Sequence, residues 1–230
     1  MRYLAIACDF DGTLAHDGAV EEATVEALRR CRDSGRRLVM VTGRELADLR
    51  GAFARLDLFE RIVAENGGTL YMPASDEERP LAAPPSDAFV GALAARGVAP
   101  VSVGRTVVAT WSPHETAVLE TIRDLGLELH VIFNKGAVMV LPSGINKASG
   151  LAAALAELAI PARHVVAIGD AENDHALLDS AAIGVAVANA VPMLRERADL
   201  VTVGDHGKGV IELIERLIEN DLAEVEPHLP

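Results

Sequence analysis

Three short apolar runs, Tyr3–Cys8, Arg37–Val41 and His164–Ile168, limit the fold of this chain more than any other feature. Each is about one strand long and, past its first residue, offers no polar position to turn toward water. Strands of this kind are buried on both faces, which calls for a parallel sheet with helices on either side. Aromatic residues make up only 3% of the chain, so its core must be built from Ala, Val, Leu and Ile, as such a packing requires. At 230 residues the chain has room for one large domain, or a core with one sizeable insertion.

The spacing predicts a helix over Glu21–Ser34 stopped by Gly35, the strand Arg37–Val41, a helix over Glu45–Leu56 and a strand at Arg61–Ala64. This order implies parallel strands joined by right-handed crossovers. Met72–Pro85, rich in Pro, Ala and acid, reads as a linker. A different pattern follows: a helix over Ser86–Arg96, a strand over Val101–Trp111 and a helix over Pro113–Leu125. A hairpin then pairs Leu127–Ile132 with Ala137–Leu141 around Phe133-Asn134-Lys135-Gly136. The alternation resumes with a helix over Lys147–Leu158, the strand His164–Ile168, a helix over Asn173–Ala181 and a strand at Ile183–Val187. It ends with a helix over Pro192–Glu196, a strand at Leu200–Val203 and a helix over Gly209–Asn220.

The expected fold class is therefore α/β. A doubly wound, Rossmann-like parallel sheet spans residues 1–79 and 142–230, and an α+β domain, residues 80–141, is inserted into it. Pro and Gly at both crossings are expected to let the insertion rock. The tail Asp221–Pro230 reads as a linker, so a C-terminal partner domain is expected in a longer chain.

The polar motifs sit where the strands end. Cys8-Asp9-Phe10-Asp11-Gly12-Thr13 closes the first strand, and in an open α/β sheet ligands bind at that end. Two carboxylates this close repel unless a cation neutralises them. Taken alone, the same residues also make a helix-capping turn. Gly169-Asp170-Ala171-Glu172-Asn173-Asp174 closes the strand His164–Ile168 in the same way. If the two strands are neighbours, Asp9, Asp11, Asp170 and Asp174 converge. Four acids without a cysteine or histidine cluster describe a hard oxygen site suited to Mg²⁺. Thr42-Gly43-Arg44 follows the second strand and either caps a helix or holds phosphate oxygens. Lys147 starts a helix, where the macrodipole disfavours it. Alone it would be a solvated lysine; within this set it reads as a phosphate ligand.

The net charge of −13 argues against nucleic acid or anionic membrane as a partner, since both require a basic face. A bound metal would still admit an anionic substrate. Cys8 and Cys31 give no disulfide framework or zinc set, and with no visible targeting segment they point to the cytoplasm. Cys8 is expected to pack as a small apolar side chain. Trp111 is expected inside the insertion or at its interface with the main sheet, with a substrate-facing ring as the alternative.

In this order, Asp9-Phe10-Asp11-Gly12-Thr13, Thr42-Gly43-Arg44, Lys147 and Gly169-Asp170 through Asn173-Asp174 resemble the four motifs of the haloacid dehalogenase superfamily. The insertion between the second and third is similar to that of its type II cap, Cof-like subclass. Ala64-Glu65-Asn66-Gly67-Gly68 resembles an Asn-Gly segment common there. In size the chain is similar to archaeal-type phosphoglycolate phosphatases and sucrose-phosphate phosphatases. The resemblance implies a Mg²⁺-dependent phosphatase that hydrolyses a small phosphorylated metabolite through an aspartyl-phosphate. Asp9 would be the nucleophile and Asp11 the acid/base. Asp9, Asp11 (through its carbonyl), Asp170 and Asp174 would hold the metal. Thr42, Gly43, Arg44, Lys147 and Asn173 would bind phosphate or substrate. The inserted cap would set specificity, with His130, Asn134 and Lys135 on or beside its hairpin. A phosphotransferase or phosphomutase using the same nucleophile, and a regulatory domain of a longer chain, are the alternatives.

Overall fold

The computed structural model describes residues 1–134 and 136–228. Lys135 lies outside the described residues. The first half alternates as expected: β1 (Ala5–Cys8), α1 (Glu22–Asp33), β2 (Arg37–Val41), α2 (Leu46–Ala52) and β3 (Arg61–Ala64). All four positions of β1 are buried, as a strand covered by helices on both faces must be. The chain then reverses. β4 (Thr69–Met72) runs antiparallel to β3, and β5 (Glu77–Pro80) antiparallel to β4. The segment Met72–Pro85 is thus not a plain linker, because it contains an edge strand. Its sequence, Glu-Glu-Arg-Pro, has no apolar alternation, and an edge tolerates both the charges and the proline.

The second unit comprises α3 (Asp87–Ala95), β6 (Ser102–Val103), β7 (Val108–Trp111), α4 (Glu115–Asp124), β8 (Leu129–Asn134) and β9 (Ala137–Pro142). Its strands form an antiparallel sheet in the order β6-β7-β9-β8. The single strand expected over Val101–Trp111 is a hairpin, folded where the Gly104 N–H bonds the Val107 carbonyl. Phe133 and Asn134 belong to β8 rather than to the turn. Phe89 and Leu93 of α3 and Val118 of α4 pack on Val108, Val138 and Val140 of the sheet, in a core separate from the main one.

The chain returns with α5 (Lys147–Leu158), β10 (Val165–Gly169), α6 (His175–Asp179), β11 (Ile183–Ala186), α7 (Pro192–Arg197), β12 (Leu200–Val201) and α8 (His206–Asn220). The large sheet has the order β12-β11-β10-β1-β2-β3-β4-β5, with β4 alone running against the other strands. Strand order therefore reverses between β1 and β10, the position where doubly wound sheets open a crevice. Ala5 pairs with Val165 and Cys8 with Ile168, so the two strands end side by side. Beyond α8 the tail is not a free linker over its described length. Leu222 is fully buried, the His228 N–H bonds the Ala182 carbonyl, and the His228 ring meets Asp199. Two apolar residues, Leu222 and Val225, give this otherwise polar segment its anchor on the core.

Candidate active site

Asp9 follows β1 and Asp170 follows β10, so the β1–β10 register brings them together. Asp174 reaches the same place from a short 3-10 turn, Glu172–Asp174. Its Oδ2 accepts the N–H groups of Asp170 (3.0 Å) and Ala171 (2.9 Å). Asp9, Asp170 and Asp174 each offer a carboxylate oxygen, and these atoms lie within 4.8 Å of one another. All three residues are buried. Thr13 donates its hydroxyl to Asp170 Oδ1 at 3.2 Å.

Lys147 enters from the first turn of α5. Asn146 caps that helix: its side chain accepts from Ser149 N–H, and Ser149 Oγ accepts from Asn146 N–H. Gly150 lets the helix lie close to the sheet, since an added Cβ would meet Val63 Cγ1 at 2.4 Å and Gly67 Cα at 2.6 Å. The Lys147 ammonium then bridges Asp9 Oδ1 and Asp174 Oδ1, both at 2.6 Å. Two charge-assisted bonds in a site shielded from water explain a lysine at a helix start, where the dipole alone would reject it. Burial works against the ammonium, but Asp174 and Asp9 outweigh it and hold Lys147 above its ordinary pKa. Burial pushes the Asp9 carboxyl well above the usual carboxylate range. Lys147 pulls it back, while Asp174 and Asp170 push it further. Burial likewise raises the neighbouring Cys8 thiol, which packs in the core as expected.

Asp11 does not join the carboxylate cluster. Both of its oxygens are held by Arg44, Nε to Oδ2 and Nη2 to Oδ1, each at 2.7 Å. Arg44 also lies over the Phe10 ring at 5.3 Å. The expected convergence of four side chains is thus one of three, because the guanidinium fork matches a carboxylate and draws Asp11 toward the second motif. Thr42 is fully buried, and its Oγ1 accepts the Arg44 N–H at 3.1 Å. Asn173 donates to Asn66 Oδ1 at 2.8 Å, and its own Oδ1 is buried with no partner among the described residues.

Asp9, Asp11, Gly43, Arg44 and Asn173 line a cleft of about 640 Å³ between the two sheets. The opposite wall is the open face of the small sheet, with Ala109, Trp111, Asn134, Ala137 and Met139. Trp111 is 55% exposed, so it faces this cleft rather than the core of the insertion. Its place at the end of β7, out of step with buried Val108 and Thr110, is the signal that could have revealed this. Glu45 and Asp48 also line the cleft and carried no motif. His130 is not among the lining residues.

Buried carboxylates around one ammonium, at the crevice of a doubly wound sheet and under a second sheet, define an enzyme for handling an anionic group. The sequence matches the haloacid dehalogenase-like hydrolase family over residues 6–82 and 112–214. It is 35% identical to a phosphoglycolate phosphatase of Methanothermobacter thermautotrophicus, covering 93% of this chain and 98% of that protein. A phosphoglycolate phosphatase of Methanopyrus kandleri is 31% identical, covering 92% and 95%. Among solved structures, a haloacid dehalogenase-like hydrolase of Bacteroides thetaiotaomicron superposes with a TM-score of 0.78 at 21% identity, covering 94% of this chain and 99% of that one. The sucrose-phosphatase of Synechocystis gives 0.71 at 21% identity, covering 94% and 98%. The chain belongs to the haloacid dehalogenase-like hydrolases, and it is a phosphatase. Among the described residues, no helix is long and apolar enough to cross a membrane.

Proposed function

We propose that the chain hydrolyses phosphate monoesters of small hydroxylated metabolites, with Asp9 as nucleophile. The observation that carries this reading is the Lys147 bridge between Asp9 and Asp174 beside Asp170. Lys147 fixes Asp9 Oδ1, so attack at phosphorus is assigned to Oδ2. The new Asp9–phosphorus bond replaces the ester bond, and Asp11 gives a proton to the departing oxygen. Water then attacks the aspartyl-phosphate, Asp11 takes its proton, and Asp9 is restored. Arg44 occupies both Asp11 oxygens, so this pair must open before Asp11 can reach a substrate. We assign Arg44 to the incoming phosphate or its ester, with Thr42 and Gly43 shaping the phosphate end.

The donor set fits a divalent cation. It consists of oxygen atoms only, and among the described residues three carboxylates cluster where one ammonium pairs with two of them. Asp9, Asp170, Asp174 and the Asp11 carbonyl would hold Mg²⁺, which neutralises charge on the transferring phosphoryl group. Mg²⁺ added to EDTA-treated protein is expected to raise the melting temperature through mass action. Asp170→Ala should weaken that rise, and chelation should stop turnover. Full activity after exhaustive chelation would remove the metal from the reaction.

The small sheet with α3 and α4 reads as a cap. We draw its bounds at residues 82–142, close to the 80–141 expected; the pairing of Pro80 with Thr69 and of Pro142 with Leu129 supports this. Its apolar wall and Trp111 suit the C–H face of a polyol, and Glu45 and Asp48 opposite can accept its hydroxyls. This supports a sugar phosphate. The relatives support phosphoglycolate, whose carboxylate those same acids would repel. A panel containing both, with product phosphate measured, separates the two. Trp111→Ala should lower kcat/KM for a sugar phosphate relative to acetyl phosphate by about tenfold, the scale of one lost ring contact. An unchanged ratio would remove Trp111 from substrate recognition.

A further inference from the structure

We propose that Glu65 is a positioning residue: it pins the cap to the core and so sets the height of the cleft above Asp9. The inference rests on the reading of the small sheet as a substrate-facing cap. Glu65 lies on the core loop after β3 and is 2% exposed. Its Oε2 accepts the Thr106 N–H (2.8 Å), the Thr106 hydroxyl (3.0 Å) and the Val107 N–H (3.0 Å). Its Oε1 accepts the Arg105 N–H at 3.0 Å. All four donors lie on the turn between β6 and β7. Three are N–H groups of consecutive residues, a concavity of the kind that holds anions. A carboxylate of the core fills it.

The backbone around the contact is committed to it. Glu65 and Asn66 both stand at φ 52°, which non-glycine residues adopt rarely and keep only under constraint. On the cap side, a Cβ added to Gly104 would lie 2.7 Å from Glu65 Oε2. The turn closes on the carboxylate with no room for a methyl group.

The same loop reaches the phosphate end. The Glu65 N–H donates to the Arg44 carbonyl (2.9 Å) and the Asn66 N–H to the Thr42 carbonyl (3.0 Å). Asn66 Nδ2 bonds Met139 Sδ on the cap wall at 2.8 Å, and its Oδ1 accepts from Asn173. One loop therefore ties the second motif, the fourth motif and the cap. β7 starts at the pinned turn and ends at Trp111, so the ring's distance from Asp9 is measured from Glu65. The rocking expected from the Pro and Gly crossings has this contact as its fixed edge.

The test uses Glu65→Gln, which keeps the shape but sets an NH₂ against an N–H donor, and Gly104→Ala, which disturbs the contact from the cap. Glucose 6-phosphate reports on the cleft; acetyl phosphate has a leaving group too small to reach the cap. Both variants should raise KM for glucose 6-phosphate by about tenfold, as expected for one charge-assisted bond, with acetyl phosphate kcat/KM within about twofold of wild type. Amide exchange at Arg105, Thr106 and Val107 should accelerate in both variants while Ala167 in β10 is unchanged. Equal loss on both substrates would mean that Glu65 serves only the fold or the phosphate end, and would overturn the proposal. So would unchanged kinetics or unchanged exchange. A wild-type protein inert on both substrates would instead overturn the reading of the cleft, and the exchange result would still decide whether Glu65 pins the cap.

Discussion

Asparagine at position 9 is expected to lower turnover by roughly three orders of magnitude or more, with the fold intact. An amide has the shape of the carboxylate but cannot attack phosphorus. The site should survive the change because Lys147 keeps its second bond, to Asp174. Stability should hold or rise, since burial raises Asp9 and the neutral residue removes a charge from a desolvated place. Steady-state kinetics alongside circular dichroism checks both halves. Activity within tenfold of wild type would show that Asp9 is not the nucleophile.

The largest loss of stability is expected from Lys147→Met. The ammonium is 2% exposed and holds two buried carboxylates, and removing one partner of such a group costs about 3–5 kcal/mol. Urea denaturation in EDTA measures it. Mg²⁺ should return part of the stability by binding the folded state. It should not return turnover, because Asp9 Oδ1 would no longer be held. A variant as stable as wild type in EDTA would show that the ammonium does not hold these carboxylates together.

Most of this cluster was legible in the sequence for a simple reason. Apolar runs mark parallel strands, acids that follow such runs lie at one end of the sheet, and β1 and β10 proved to be neighbours. Lys147 stands out because it breaks the macrodipole rule, but the sequence points it at phosphate and not at the two carboxylates it bridges. Asp11 was misplaced because a side chain's partner is not written in strand pattern; only the folded chain shows Arg44 within its reach. Glu65 was passed over inside an Asn-Gly loop, since its four donors lie some forty residues away on another sheet. β5 was missed because charged edge strands show no alternation. For Trp111 the sequence leaves open the core of the insertion, its interface with the main sheet and a substrate-facing ring, because tryptophan suits any of them. At the mouth of a cleft its ring is left open to a ligand.

Ala5 pairs with Val165, so during synthesis Asp9 waits for most of the chain before β10, the second strand beside β1, exists. For a flexible segment, each doubling of a loop adds about 0.6 kcal/mol of closure entropy. Much of that stretch is the inserted unit, which is not a flexible loop. It carries its own apolar core, and both ends return to one place: Leu81 bonds Gly68, and Asn146 abuts Gly67. Once collapsed, it acts as a short tether between the halves of the core. A nascent chain that stops before Gly169 holds Asp9 but lacks its acidic neighbours, so reactivity comes only with the closing of the sheet.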